Sequence, residues 1–148
     1  FEMKRLFYLT LCVLASYLVT SCHSASSDIP YTVMEHYFQS NKVEQLPSAT
    51  VTTAEEFQQL FGMAPVMGEH GTPTPVDFEK EYVIAVSKPA TDIETELVPV
   101  SLKRDSDGNV EFTYKTKTGD KVSYKMTPCL LIKVDNQYKG NVSLKELN

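Results

Sequence analysis

Apolar and polar residues alternate through the C-terminal half of the chain, and this period of two constrains the fold more than any other feature. Val98, Val100 and Leu102 are separated by proline or polar residues. Val110 and Phe112 begin a further alternating run, which continues through Tyr114, Val122, Tyr124 and Met126. Successive side chains of a β-strand point to opposite faces of its sheet. The pattern therefore predicts an antiparallel meander with one apolar face.

Turn-forming residues divide this region into separate strands. Residues 105–108 end in the Asp-Gly pair typical of a hairpin loop, and residues 118–120 predict another turn. Residues 82–86 form the most apolar run outside the N-terminus and are predicted to be the central strand. We expect a further apolar strand at 128–134 and a polar strand at 138–147, whose charges suit an exposed sheet edge.

The sequence contains one clear signal for a helix. Thr53 and Glu56 have the spacing of a capping box, in which each side chain bonds the backbone of the other residue. Three apolar residues follow at the spacing of one helical face: Phe57, Leu60 and Phe61. Gly62 occupies the position at which a glycine commonly ends a helix. A helix of about two turns is too short to be stable alone, so it must pack on a sheet.

These elements predict a mainly β fold with one short helix. Residues 29–39 are rich in β-branched and aromatic side chains on both faces and predict a strand that is covered on both sides for part of its length. Consecutive hairpins imply an antiparallel sheet, which must curl or split to bury a face. We expect a partly open barrel or a two-layer sandwich, formed by a single domain at 29–148.

The N-terminus has the three parts of a secretory signal peptide. Lys4 and Arg5 precede a short apolar run at 6–18, and small residues follow it. Residues 19–22, Val-Thr-Ser-Cys, resemble a lipobox, at which bacterial lipoproteins are acylated on the cysteine and cleaved before it. We therefore predict a signal peptide at 1–21, lipid (palmitate among the acyl chains) on Cys22, and a flexible tether at 22–28. The alternative is an ordinary signal peptide with an incidental Cys22.

Charge and cysteine content exclude several classes of function. The chain carries a formal net charge of −5, which argues against nucleic acid as a partner and against electrostatic binding to anionic lipid. Any contact with the membrane should come from the lipid on Cys22. Cys12 is removed with the signal peptide, so Cys129 remains as the one thiol and cannot form an internal disulfide. Its apolar surroundings predict a buried thiol and not a nucleophile.

Residues of the kind that enzymes need are few and scattered. The histidines are His23, His36 and His70, and none lies beside a nucleophile in a recognised pattern. There is no G-x-S-x-G, H-E-x-x-H or C-x-x-C motif and no phosphate-binding glycine loop. Most carboxylates lie at predicted helix starts, turns or strand flanks. We therefore expect no catalytic activity, no metal and no cofactor.

Two irregular segments are candidates for binding a partner. Residues 62–75 contain glycines and prolines that exclude a regular helix or central strand, and ordered loops of this length are often functional. The alternative is a disordered surface excursion. Residues 88–92 form a turn after the central strand, and we expect both segments at one end of the fold. The residues expected to contact a partner are Met67, Gly68, Glu69, His70, Lys88, Pro89, Thr91 and Asp92.

Two stretches resemble a known family. Residues 51–57 (VTTAEEF) and 76–86 (VDFEKEYVIAV) are similar to the C-terminal domain of PrcB-like lipoproteins, over about 51–134 as a whole. The resemblance implies a small, β-rich extracytoplasmic domain, like the namesake subunit that associates with and stabilises a secreted serine protease complex. Many relatives carry a Thr-Gly-Gly-Tyr-like turn where this chain has Lys-Pro-Ala-Thr-Asp at 88–92. This departure argues against a shared mode of binding.

The sequence thus predicts a non-catalytic, membrane-anchored protein-interaction module of a Gram-negative-type cell envelope. Its expected partner is an extracytoplasmic protease, which it binds, stabilises or inhibits, or another envelope protein. His23 and not aspartate follows Cys22, which by analogy favours the outer membrane. One alternative is a lipocalin-like carrier of a small ligand, because aromatic residues of the meander could line a pocket. A hydrolase would require two carboxylates or a histidine pair converging in a cleft.

Overall fold

A computed structural model describes residues 26–148. The predicted signal peptide and Cys22 lie outside the described residues, as does most of the predicted tether. In chain order, the elements are β1 (Ser27–Asp28), β2 (Thr32–Val33), β3 (Tyr37–Gln39), β4 (Thr50–Val51), α1 (Ala54–Leu60), β5 (Phe61–Met63), β6 (Glu81–Ser87), β7 (Thr91–Arg104), β8 (Val110–Met126), β9 (Cys129–Asp135), a 3-10 helix (Asn136–Tyr138) and β10 (Val142–Leu147).

Two four-stranded sheets form the body of the described chain. The first sheet has the strand order β1-β7-β8-β10 and the second has the order β2-β9-β6-β4, while β3 and β5 form a separate two-stranded ribbon. β6 pairs antiparallel with β9 from Glu81 opposite Asp135 to Ser87 opposite Cys129. Since β4 pairs with its other edge, β6 is the central strand that the sequence predicted. The mainly β, partly open sandwich is likewise confirmed.

The second sheet is covered on both faces. One face packs against the first sheet, where Ile84 and Ile132 meet Phe112. The opposite face buries Val83 against Phe57 of α1. α1 and the ribbon therefore add a third layer to the sandwich. The apolar run of β6 lacks polar residues because its successive side chains enter two different cores.

The structure confirms Thr53 as the N-cap of α1, which supplies one of the two bonds of the predicted capping box, but the predicted end of the helix is wrong. The Thr53 hydroxyl accepts a hydrogen bond from the Glu56 N–H at 3.2 Å. The helix ends at Leu60, and Phe61 has the extended φ of −131°. Gly62 is therefore part of β5, opposite Phe38 of β3. A Cβ at Gly62 would lie 2.4 Å from the Phe38 ring, so this glycine makes room for an aromatic ring and does not cap a helix.

The predicted strand at 29–39 is broken into two short strands. β2 pairs with β9 in the second sheet, and β3 pairs with β5 in the ribbon. Between them, His36 has a φ of 65°, which turns the chain from one sheet to the other. The predicted tether also ends earlier than expected, because Ser27 and Asp28 pair with Arg104 and Lys103 as β1. Their backbone groups complete the edge of β7, which a free tether would leave unpaired.

β7 and β8 form a long hairpin of 14 and 17 residues. Its loop is the predicted one: the Asp105 carboxylate accepts hydrogen bonds from the backbone N–H groups of Asp107 and Asn109, and Gly108 has a φ of 84°. Residues 118–120 do not form the predicted turn but continue β8. Register shifts along β7 break the strict alternation. The expectation that Val100 and Tyr124 lie on a buried face is therefore wrong, since their side chains are 41% and 61% exposed.

β10 is the edge strand that the sequence predicted, although it starts at Val142, after the 3-10 helix. It pairs parallel to β8, with Val142 opposite Val110 and Leu147 opposite Lys115. In a simple meander, β10 would pair with the preceding strand, β9. Here it pairs with β8 instead. The chain crosses from the second sheet to the first before β10 begins.

Candidate functional site

The loop between β5 and β6 is tied to the segment that precedes β3. The backbone N–H of Glu35 donates to the Thr74 hydroxyl at 2.9 Å, and the Tyr37 hydroxyl donates to the Thr74 carbonyl at 2.6 Å. The N–H of Ala64 donates to the His36 carbonyl at 2.8 Å. The Lys133 ammonium donates to the Pro75 carbonyl at 2.8 Å. These bonds connect both ends of the loop to the sheets, as expected of an ordered loop.

The tip of this loop has an unusual backbone. His70 has a φ of 62° and Gly68 a φ of 106°. Nε2 of His36 lies 2.7 Å from the His70 carbonyl oxygen, and because a carbonyl only accepts, this nitrogen carries the proton. The N–H of Val66 donates to the Gly71 carbonyl at 3.0 Å and closes the tip. Left-handed residues are costly outside glycine and cluster at functional sites.

Apolar side chains project from this loop into solvent. The exposed fraction is 68% for Met63 and 58% for Val66, and the Met67 side chain is fully exposed. Phe38, whose ring covers Gly62 of β5, is 48% exposed. We call Met63 (the last residue of β5), Val66 and Met67 the apolar loop surface. Phe38 is not part of it, because Met63 pairs with Tyr37 and side chains alternate along the ribbon, so Phe38 lies on the opposite face. Isolated exposed apolar residues are normal, but several on one ordered loop indicate a contact surface.

The predicted loop residues lie at this tip, and all are accessible. Gly68, Glu69 and His70 are exposed beside Met67. His70 uses its carbonyl to bind His36, so its backbone shapes the loop. Met63 and Val66 were missing from the predicted contact residues. The two apolar residues within the loop could have been found from the Met-Ala-Pro-Val-Met stretch at 63–67, which is too irregular to build a core.

The turn after β6 has a separate set of neighbours. The Lys88 N–H donates to the Pro128 carbonyl at 3.0 Å, and Thr91 already belongs to β7, opposite Met126. The Asp92 carboxylate lies 3.4 Å from the Lys121 ammonium. Lys88 and Pro89 line a surface groove of about 780 Å³ together with Asn41, Val43, Glu44, Gln45, Ser87, Ala90, Lys125 and Thr127. Most of the residues that line this groove are polar.

Among the described residues, no hydrogen bond or ion pair joins the loop to the turn. The loop contacts Glu35, His36, Tyr37 and Lys133, whereas the turn contacts the end of β8 and β10. The loop joins the body near the start of β6, where Lys133 binds Pro75, whereas the turn follows the end of β6 at Ser87. The expectation that both segments lie at one end of the fold is therefore wrong, and the structure presents two separate surfaces.

The strongest electrostatic interaction of the turn is with β10. The Lys88 ammonium lies 2.5 Å from Oε2 of Glu146, and the Thr116 hydroxyl donates to Oε1 at 2.6 Å. The hydrogen bond from Lys88, followed by that from Thr116, lowers the pKa of Glu146. The bond to Glu146 in turn raises the pKa of Lys88. The cluster joins two segments 58 residues apart in sequence, so no local pattern indicates it.

Among residues 26–148, Cys129, His36 and His70 do not form a reactive group. Cys129 is a free thiol at the start of β9 and is partly buried, where the sequence predicted full burial. Burial raises its pKa, an effect that the N–H of Gln39 opposes. A raised pKa disfavours the nucleophilic thiolate. His36 contacts His70 only through the backbone carbonyl of His70.

Residues 26–148 hold no cluster of three or more histidine, cysteine or acidic side chains arranged to bind a metal ion. Within the same range, none of the helices has the length and apolar character that crossing a membrane requires. Comparison with protein-family models, with curated proteins and with solved structures finds no match to this chain. The sites described above therefore rest on the geometry of this chain alone.

Proposed function

We propose that this chain is a non-catalytic, lipid-anchored module of a bacterial cell envelope that binds another protein through the apolar loop surface. The observation that carries the proposal is the exposure of Met63, Val66 and Met67 on a loop whose ends are hydrogen-bonded to the body of the protein. An ordered apolar loop exposes area to a partner without the entropic cost of ordering a flexible segment.

The side chains of this surface suit protein recognition. Burying a Met or Val side chain completely stabilises a complex by roughly 1.5–3 kcal/mol. Met67 buries almost nothing against its own chain, so nearly its whole side chain is available. Methionine is flexible and polarisable and fits irregular partner surfaces.

The proposed lipid on Cys22 would set the position of the domain. Four residues separate Cys22 from Ser27, the first residue of β1. Such a segment spans roughly 17 Å when extended. Since β1 pairs with Lys103 and Arg104, the adjacent β7–β8 hairpin loop would lie nearest the membrane. The partner would then be an envelope protein within reach of that short attachment, and the outer membrane remains the favoured location.

An extracytoplasmic protease is the partner class that the resemblance to PrcB-like domains supports. The domain would stabilise or inhibit such a protease by occupying its surface and not by chemistry. The different turn at 88–92 argues for contact through the apolar loop surface, because Lys88 is already engaged by Glu146. A lipocalin-like carrier is supported less, since Phe112 and Tyr114 are buried in the core between the sheets.

The proposal is tested by affinity capture with variants matched for lost apolar surface. The full-length protein, Met63→Ser/Met67→Ser and the control Val100→Ser/Tyr124→Ser are used to capture proteins from detergent-solubilised native envelopes. The Val100 and Tyr124 side chains are also exposed, but they lie on the β7–β8 hairpin. We expect a protein captured by wild type and by the control to bind the Met63/Met67 variant at least tenfold more weakly when purified. Equal binding by all three would refute the proposal.

A further inference from the structure

The outer edge of β10 differs from every other sheet edge in the described part of the chain. β1, β2 and β4 are each two residues long. The ribbon strands β3 and β5 are three residues long. The outer edge of β7 contains Pro99 and several register shifts, and register shifts also interrupt the part of β8 that β10 leaves unpaired, from Thr116 to Met126. Short edges, prolines, bulges and charged side chains are devices that prevent an edge from pairing with another chain. β10 runs for six residues without a proline and without a register shift, and of these devices it carries only the charges of Lys145 and Glu146.

The hydrogen-bond phase shows which backbone groups β10 leaves free. Val110 lies opposite Val142, and its N–H donates to the Asn141 carbonyl at 2.8 Å. In a parallel ladder, the residues that bond the neighbouring strand alternate with residues that point away from it. Ser143, Lys145 and Leu147 therefore bond β8. The N–H and carbonyl groups of Val142, Leu144 and Glu146 point to the outer edge.

A slot opens beside this edge on the inner face of the first sheet. Leu144 lies next to buried Phe112 in the register of the two strands but is itself 40% exposed. It borders a cavity of about 240 Å³ whose lining includes Leu46, Ala49, Val86 and Tyr114. These residues come from β6, β8 and the segment before β4, so the slot separates the edges of the two sheets. The lining also includes Gln45, Ser48 and Ser87. Its apolar residues suit a side chain that enters beside Leu144.

The opposite face of the edge carries two lysines and one glutamate, Glu111, which lies opposite Ser143. Side chains alternate along β10, so Lys145 points to the outer face, and its ammonium is exposed. Lys115 of β8 lies opposite Leu147 on the same face and is also exposed. A strand added to β10 would therefore place alternate side chains against apolar residues on one face and lysines on the other. Apolar and acidic residues are complementary to these two environments.

We infer that the outer edge of β10 is a second docking site, which takes an extended segment of another protein by adding it as a strand to the first sheet. The segment carries an apolar side chain for the slot beside Leu144 and an acidic one for Lys145. Backbone bonds to Val142, Leu144 and Glu146 hold it in place, as in other cases of strand addition. A second copy of this chain fits less well, because antiparallel pairing about Lys145 would place the two ammonium groups opposite each other.

The experiment starts from a random nonapeptide library displayed on phage and selected against the full-length protein in detergent. We expect peptides that alternate apolar and acidic residues. Titration of a selected synthetic peptide should give at least a tenfold loss of affinity for Leu144→Lys. Val100→Lys is the matched control, since Val100 is 41% exposed against 40% for Leu144, and it should bind as wild type does. Lys145→Glu should weaken binding of acidic peptides.

Amide hydrogen exchange by NMR identifies the bound edge. In the free protein, the amides of Ser143, Lys145 and Leu147 should exchange slowly and those of Leu144 and Glu146 quickly. Bound peptide should slow exchange at Leu144 and Glu146. Four outcomes would overturn the inference: no selected peptide, equal binding to Leu144→Lys, protection elsewhere, or protection of Leu144 and Glu146 without peptide in a dimer.

This docking site does not depend on the apolar loop surface. The Met63→Ser/Met67→Ser variant should bind a selected peptide with wild-type affinity. A tenfold loss in that variant would assign the peptide to the loop and overturn the inference for β10. Conversely, failure of the peptide selection would leave the capture experiment on the loop unaffected.

Discussion

Two Val→Ala substitutions test the architecture of the fold. Val83 on β6 is fully buried beneath α1, whereas Val100 on β7 is 41% exposed. The alternation of the sequence predicts Val100 on a buried face. The structure reverses this expectation because register shifts along β7 interrupt the alternation. The same chemical change should therefore have very different effects at the two positions.

The size of each effect follows from burial. Val→Ala removes two methyl groups, and their loss from a buried site costs about 1.6 kcal/mol in transfer free energy at about 0.8 kcal/mol each. The cavity left beneath α1 adds about 1 kcal/mol. We expect Val83→Ala to lower the free energy of unfolding by about 2–3 kcal/mol. Val100→Ala leaves no closed cavity and should cost less than about 1 kcal/mol.

Urea unfolding measures both variants. Tyrosine fluorescence and far-UV circular dichroism are suitable probes, because the chain has 8 tyrosines and no tryptophan. For a domain of this size, the Val83 variant should also melt roughly 6–12 °C below wild type. Equal losses at the two positions would refute the register assigned to β7. A loss below about 1 kcal/mol for Val83→Ala would refute the third layer.

The remaining predictions concern the lipid, the ion pair and the helix cap. Cys22→Ala should abolish incorporation of radiolabelled palmitate and release the protein from the membrane fraction; retained label would contradict lipidation at this residue. Glu146→Gln should lower the free energy of unfolding at pH 7 by about 0.5–1 kcal/mol, since both partners are about a third exposed. Lys88 lowers the pKa of Glu146 in the folded protein. The stabilisation is therefore present above the unfolded pKa of about 4.3 and is lost as the pH falls through the folded pKa of Glu146. If the urea midpoints of wild type and Glu146→Gln still differ below the folded pKa, the ion pair is not the cause of the difference. Thr53→Ala should cost about 1 kcal/mol by removing the cap on the Glu56 N–H, measured by urea unfolding; no loss would mean that the cap contributes nothing.

Features governed by nearby residues were predictable from the sequence. The capping box involves residues three apart, and the Asp105–Gly108 loop is built from bonds within five residues. The central strand was identified because both of its faces are buried, which leaves its sequence continuously apolar. Each of these signals is local, and no distant contact overrides it.

Features governed by distant contacts were not predictable. Gly62 leaves space for the ring of Phe38, which lies 24 residues earlier in the chain. The prediction that it ends the helix was therefore wrong. His36 has a positive φ at the point where the chain leaves β2 of the second sheet and enters β3 of the ribbon. β8 continues through residues 118–120 because β7 remains paired beside it, although Thr-Gly-Asp alone favours a turn.

The candidate surfaces show the same division. Glycines and prolines marked the loop at 62–75 from sequence alone, and the predicted Met67–His70 tip is accessible. The edge of β10 required knowledge of its parallel partner and of the hydrogen-bond phase. Charge and alternation predicted an edge strand but not which of its groups are free.

Site-specific photo-crosslinking in intact cells tests the central functional claim most directly. A photoreactive amino acid is introduced at position 67 in one strain and at position 124 in another, because Met67 and Tyr124 are both exposed. Binding through the apolar loop surface predicts a covalent adduct with a specific envelope protein at position 67 and none with that protein at position 124. The absence of any adduct at position 67, or the same adduct at both positions, would contradict it.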